Sequence, residues 1–267
     1  MPNLETNKKI YYTLQIAIAM CFIGHGVFGI VTKPIWCNYF ALFGIGQDLS
    51  YKLMPAVGSF DLLCGILMLV YPMRALPAWL IVWGAFTALL RPLSGEPFAE
   101  FIERGGNYGA PLAFLILCGG AKNITGWFTR VRPGTKPAEE TFKRLAFCLR
   151  FFGFLILLGH GCLNLIEKKG LLDQYTSLGF SDPQQVAHII GAAEIAFAVI
   201  VLIRPLRSLI IIFFIWKITS ELFYPHYGLV EWVERGGSYG VLLALWFTTE
   251  RKTFFKWPEN KLTLSKG

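Results

Sequence analysis

The residues of this chain that could do chemistry come in two matched sets. His25 lies in Gly24-His25-Gly26, and His160 lies in Gly159-His160-Gly161. Asp61 and Glu194 follow at corresponding places. Arg104 and Arg235 then sit in Glu103-Arg104-Gly105-Gly106-Asn107-Tyr108-Gly109 and Glu234-Arg235-Gly236-Gly237-Ser238-Tyr239-Gly240. A histidine beside a carboxylate can hold or relay a proton near neutral pH. An arginine fork can grip a carboxylate or another planar polar group.

The two sets are copies of one another. The offsets between them drift only from 135 to 133 to 131 along the 267 residues, and Trp83 with Pro92 returns as Trp216 with Pro225. A fused duplication explains that order and drift. It turns the chain into its own small alignment, showing which polar residues both copies carry.

Depth along helices sharpens the pattern. Counted at about 1.5 Å of rise per residue, His25, Asp61 and Arg104 all fall about 10 Å below one surface, and His160, Glu194 and Arg235 repeat the layer. A carboxylate surrounded by hydrocarbon needs a partner. The expected pairs are therefore Asp61–Arg104 and Glu194–Arg235. Such pairs could fasten a four-helix bundle, or line a cavity for a quinone headgroup or another small polar molecule.

The second copy adds Lys217 and Glu221, one turn apart on a helix face. Their counterparts are Gly84 and Ala88. The expectation is a Glu194–Lys217–Glu221–Arg235 network, with any working site in the second half. The histidines could be paired to the neighbouring acids or could act as two axial haem ligands. Haem is disfavoured because both rings would have to converge on one axis. The flanking glycines would admit another helix or a flat ring. Tyr108 and Tyr239 either join the polar layer or pack at an interface, and Trp83 and Trp216 read as core. The Gly-Gly lacks the spacing and preceding strand of a phosphate loop; close helix packing suits it better. No metal site is assigned.

These residues need a membrane scaffold to position them. The chain is 54% hydrophobic and only 16% charged, and about 20 apolar residues span a bilayer. The expected architecture is all-α, with eight transmembrane helices near 10–32, 54–73, 75–91, 98–121, 146–166, 186–204, 206–224 and 229–249. They form two parallel four-helix repeats, 1–121 and 146–249, joined by a basic linker, 122–145, and followed by a basic tail, 250–267. The first span is too long for a signal-peptide core and is expected to be retained. Pro77 makes the third span the least regular.

Basic residues cluster on one side of this topology, among them Lys8, Lys9, Arg74, Arg130, Arg132, Lys143, Arg144, Arg204 and Arg207. The positive-inside rule then puts both termini in the cytoplasm. The formal charge of +8 is accordingly read as facing anionic lipid, not nucleic acid. Six cysteines form no Cys-x-x-Cys, which supports neither a disulfide framework nor a dithiol redox motif. The loops 33–53 and 167–185 should each carry a short helix at the interface, with Trp36 and Tyr39 at headgroup depth.

Leu178-Gly179-Phe180-Ser181-Asp182-Pro183, leading into Gly191-Ala192-Ala193-Glu194-Ile195 and an apolar run to Arg204, resembles the DoxX/DoxX-like family. Phe43-Gly44-Ile45-Gly46 and Gly58-Ser59-Phe60-Asp61 are similar in the first half. The resemblance implies a four-helix membrane unit, here in tandem, with Glu194 and Asp61 at the family's acidic position. It also implies association with respiratory or thiosulfate/quinone redox complexes through a partner subunit. Three functions follow as expectations: a membrane subunit supporting a quinone-linked redox process, a small-solute transporter with its site between the repeats, or a non-catalytic scaffold or assembly factor.

Overall fold

A computed structural model describes residues 4–121, 123–134, 137–224 and 228–249. Pro225, His226 and the tail 250–267 lie outside the described residues. The described part is helical. It contains no strand, only an isolated bridge between Met73 and Arg130.

The first half contains α1 (Leu4–Ile30), α2 (Trp36–Ala41), α3 (Gln47–Val70), α4 (Ala75–Leu93), α5 (Ala99–Glu103) and α6 (Gly105–Cys118). A short α7 (Ile124–Phe128) follows. The second half contains α8 (Glu139–Leu165), α9 (Lys169–Ser177), α10 (Pro183–Ile203), α11 (Arg207–Leu222), α12 (Leu229–Glu234) and α13 (Gly236–Thr248). Five of these helices, α1, α3, α4, α8 and α10, are long and apolar enough to cross a bilayer.

The expected fourth and eighth spans are not continuous. Each is divided at the repeated arginine, where Arg104 and Arg235 leave helical geometry with ψ of 12° and 7°. The following glycines start α6 and α13. Pro77, by contrast, is tolerated because it lies in the first turn of α4, where its missing N–H has no intrahelical partner to lose.

Local signals set the smaller elements. Asp182 caps α10 by accepting from the Gln185 amide at 2.9 Å, with Pro183 in the first turn. Gly44 and Gly179, the glycines of the repeated Phe-Gly and Leu-Gly pairs, have φ of +72° and +88°. That left-handed geometry turns the chain after α2 and α9, at little cost for glycine.

The two halves interleave. Helix α1 packs on its own α3 but also on α12 and α13 of the second half, and α8 packs on its own α10 and on α5 and α6 of the first. Helices α6 and α13 meet each other. The largest buried apolar cluster runs through this centre, from Ile10 and Phe22 through Phe114 to Ile156 and Leu245. The outer helices turn large apolar side chains outward, including Leu63, Ile66, Val82, Ile203, Ile212 and Ile215. Water would not tolerate a continuous surface of this kind, whereas lipid would.

The repeated glycines explain the close crossings. A Cβ on Gly24 would lie 2.3 Å from the backbone nitrogen of Glu234; on Gly159 it would lie 2.2 Å from that of Glu103. Gly26 meets the carbonyl of Gly58, and Gly161 meets that of Gly191. Each Gly-His-Gly therefore receives backbone on both sides: one glycine seats the opposite half, the other the next long helix of its own half. In the same way Gly237 packs on the backbone of Gly106. Helix backbone occupies these approaches, leaving no slot there for a flat ring.

Candidate functional site

His25 and Asp61 form the first element of the site. Nδ1 of His25 lies 2.7 Å from Oδ2 of Asp61. An ionised carboxylate can only accept, so the hydrogen sits on Nδ1 and Nε2 is the free ring nitrogen. Trp83 donates Nε1–H to the same oxygen at 3.3 Å. Asp61 is fully buried, and its other oxygen, Oδ1, has no hydrogen-bond partner among the described residues. Trp36 lies over the imidazole with ring centres 4.6 Å apart.

The second half repeats the geometry with more partners. Nδ1 of His160 lies 2.7 Å from Oε2 of Glu194, and Trp216 donates to Oε1 at 3.2 Å. Asn164 donates to the carbonyl of His160 and receives the Tyr175 hydroxyl at 2.7 Å. Its counterpart in the first half is Gly29, and that of Tyr175 is Phe40. Burial raises the pKa of the Tyr175 hydroxyl, keeping it a donor.

The expected acid–arginine pairs are replaced by others. Asp61 and Glu194 meet the histidines, while Arg104 binds Glu100 at 2.6 Å and Glu103 at 3.1 Å. Arg235 binds Glu221 and, across the halves, Glu103 at 3.2 Å. Glu103 also holds Lys217 at 3.2 Å, and Lys217 pairs with Glu221. The expected network thus forms with Glu103 of the first half in place of Glu194. The physical reason is the interleaving: α5 lies against α8, which brings its acid to α11 and α12. Two further ties cross between the halves, Lys33–Glu231 at 3.3 Å and Lys168–Glu100. They join equivalent residues in opposite directions. Burial lowers the ionisation of Lys33 more than Glu231 raises it, so this tie adds little net stability.

A cavity of about 200 Å³ opens in the first half. His25, Trp36, Trp83, Thr87, Ala88 and Arg104 line it, together with Phe28, Phe43, Phe86 and Asn107. Glu234 of the second half completes the wall. No ion pair or side-chain hydrogen bond joins Glu234 to another described residue, although Arg104, Arg91, His25 and Lys33 are its charged neighbours. Trp36 and Tyr39, expected at headgroup depth, are turned inward and buried. Tyr39 donates to Glu96 at 2.6 Å, and burial raises its pKa so that it keeps this proton.

The expectation places the working site in the second half, whereas this cavity lies in the first. Lys217 and Glu221, at the equivalent positions of α11, are 1% and 2% exposed. Tyr108 donates to the Phe101 carbonyl at 3.1 Å, whereas the buried Tyr239 hydroxyl has no partner among the described residues. Trp83 and Trp216 hydrogen-bond the acids, a role beyond the core packing expected of them. Glu100, Glu103, Glu234, Lys33 and Lys168 were readable only as further repeated residues. Arg74 and Arg207, also equivalent, donate to the carbonyls closing α6 and following α13: Cys118 at 3.0 Å and Thr249 at 3.2 Å. Cations near helix C-termini are favourable there.

Comparison with family models, curated proteins and solved structures finds no match to this chain.

Proposed function

We propose that this chain is a membrane subunit of a quinone-linked redox process and that the His25 cavity receives the quinone headgroup. The observation carrying the reading is the His25–Asp61 pair, 2.7 Å apart, at an aromatic-walled cavity of about 200 Å³. Flat rings pack well against Trp and Phe, and a quinone carbonyl needs a donor, which Nε2 provides when the His25 ring is doubly protonated. Reduction of a quinone to a quinol takes up two electrons and two protons. The electrons come from a partner redox subunit, as the resemblance to the DoxX-like family implies.

The residues of the chain would bind, orient and protonate. His25, held by Asp61, would deliver the two protons one after the other through Nε2, taking up a proton from water after each. Trp83 fixes the carboxylate, and Trp36 fixes the ring. Arg104 and Glu234 set the polarity at the far wall. In this reading α5–α6, α11 and α12–α13 complete eight spans as two parallel repeats, with both termini cytoplasmic and the cavity in the outer leaflet. The outward apolar faces of the long helices support lipid contact.

Titration of the purified protein with decylubiquinone, followed by quenching of tryptophan fluorescence, tests the reading. His25→Phe and Asp61→Asn should each weaken binding at least about tenfold, the equivalent of about 1.4 kcal/mol. Absence of quenching in the wild type, or wild-type affinity in both variants, overturns it.

One observation favours a transporter as the second reading: Glu234 brings the other half into the cavity wall, as a site between parallel repeats requires. Solute uptake into proteoliposomes that depends on Glu234 while decylubiquinone fails to bind would select it.

A further inference from the structure

The two halves carry the same histidine and tryptophan and a matching acid; a cavity opens beside the first set, and buried charged side chains stand beside the second. The difference traces to two positions on equivalent helices. In α4, Gly84 and Ala88 follow Trp83 by one and five residues; in α11, Lys217 and Glu221 follow Trp216 in the same register. Ala88 lines the open cavity, and the missing side chain of Gly84 faces Asn107, another wall residue, at 3.1 Å from its carbonyl. In the second half Lys217 reaches Glu103, the counterpart of Glu234, which faces the open cavity.

We infer that the chain contains two copies of one ligand site, the second permanently occupied by its own Lys217–Glu221 pair. Ala88 is the residue whose small side chain keeps the first copy open, and Gly84 admits the backbone of the wall residue Asn107. The ammonium of Lys217 stands where a ligand in the first half would meet Glu234. Glu221 closes the remaining space and neutralises the charge, together with Arg235.

The acid beside each histidine follows the same division. Both oxygens of Glu194 are engaged, by Trp216, His160 and Asn164, whereas Asp61 Oδ1 has no hydrogen-bond partner among the described residues. The side chain of His160 is 7% exposed, against 18% for His25. A buried polar atom left without a partner is costly, and of the two acids paired to histidine it is the one on the open side that carries it, although the Tyr239 hydroxyl of the second half also lacks a partner among the described residues. The inference concerns which copy is accessible and does not depend on the ligand being a quinone.

Histidine carbethoxylation by diethyl pyrocarbonate, read peptide by peptide by mass spectrometry, tests accessibility without any ligand. In the intact protein His25 should react about tenfold faster than His160, whose reaction must await local opening. The variant Lys217→Ala/Glu221→Ala removes one charge of each sign and should bring His160 close to the rate of His25. Ala88→Leu fills the open copy without adding charge and should slow His25 several-fold. Equal rates in the wild type overturn the inference. So does a monodisperse Lys217→Ala/Glu221→Ala protein in which His160 stays protected, or an Ala88→Leu protein in which His25 reacts unchanged. Should the double variant not fold, Ala88→Leu alone decides. Failure of quinone binding with this labelling pattern intact would remove the quinone and leave the open and closed copies standing.

Discussion

At the scale of single residues, sequence equivalence does not mean equal duty. Glu103 and Glu234 occupy the same place in the repeat. Glu103 is held by Arg104, Lys217 and Arg235, whereas Glu234 makes no such contact among the described residues and faces the cavity. Removing one member of a buried ion network leaves the others uncompensated, at a cost of about 3–5 kcal/mol. Glu103→Gln should therefore lower the thermal midpoint sharply, and Glu234→Gln should lower it little while changing ligand affinity. Scanning fluorimetry of both variants beside the wild type checks this; comparable losses would show that the two acids carry equal structural weight. The repeat made the types at these positions legible, including His25, His160, Asp61 and Glu194, whose common layer was readable from helical rise alone. The partners were not legible. An internal alignment pairs a residue with its copy, but cannot say that the copy's neighbour supplies its counter-ion.

At the scale of elements, glycine placement decides the architecture. The Gly-His-Gly pattern signalled a close approach, and the approaching segment turned out to be the other half's α5 or α12, where the helix ends before the repeated arginine. The break itself was hidden because Glu-Arg-Gly-Gly lies within an otherwise apolar run that reads as one span. Gly159→Ala is a stringent probe, since its methyl would stand 2.2 Å from the backbone nitrogen of Glu103. A clash against backbone cannot be relieved by a rotamer change, so α8 and α5 must separate, and overpacking of this kind costs about 1–3 kcal/mol. The separation would also stretch the Glu103–Lys217 contact. We expect a lowered midpoint together with loosened protection of α5 amides in hydrogen exchange. Gly46→Ala, where nothing lies within 4 Å of the added methyl, is the matched control and should leave both unchanged. A Gly159→Ala protein as stable as that control would mean the crossing is looser than described.

At the scale of the whole molecule, interleaving makes the two halves parts of one body. Helices α1 and α8 each bury one face on their own half and another on the opposite half, and the ion ties Lys33–Glu231, Lys168–Glu100 and Glu103–Arg235 all cross between them. A half made alone would expose the glycine-lined face of its first helix and the charged residues that the other half neutralises. Lipid cannot satisfy those charges. Two fragments divided within the linker, residues 1–134 and 137–267, should therefore copurify when made together, with the tag on only one of them. The complex should retain the slow reaction of His160 with diethyl pyrocarbonate, because its shield is built from Lys217, Glu221 and Glu103 of both fragments. The first fragment alone should lose most of its folded yield, for its Glu103 would lie buried without Lys217 or Arg235. If each fragment instead folds separately and the two do not copurify, the halves are self-sufficient bundles. The contacts between them would then be incidental to the fold.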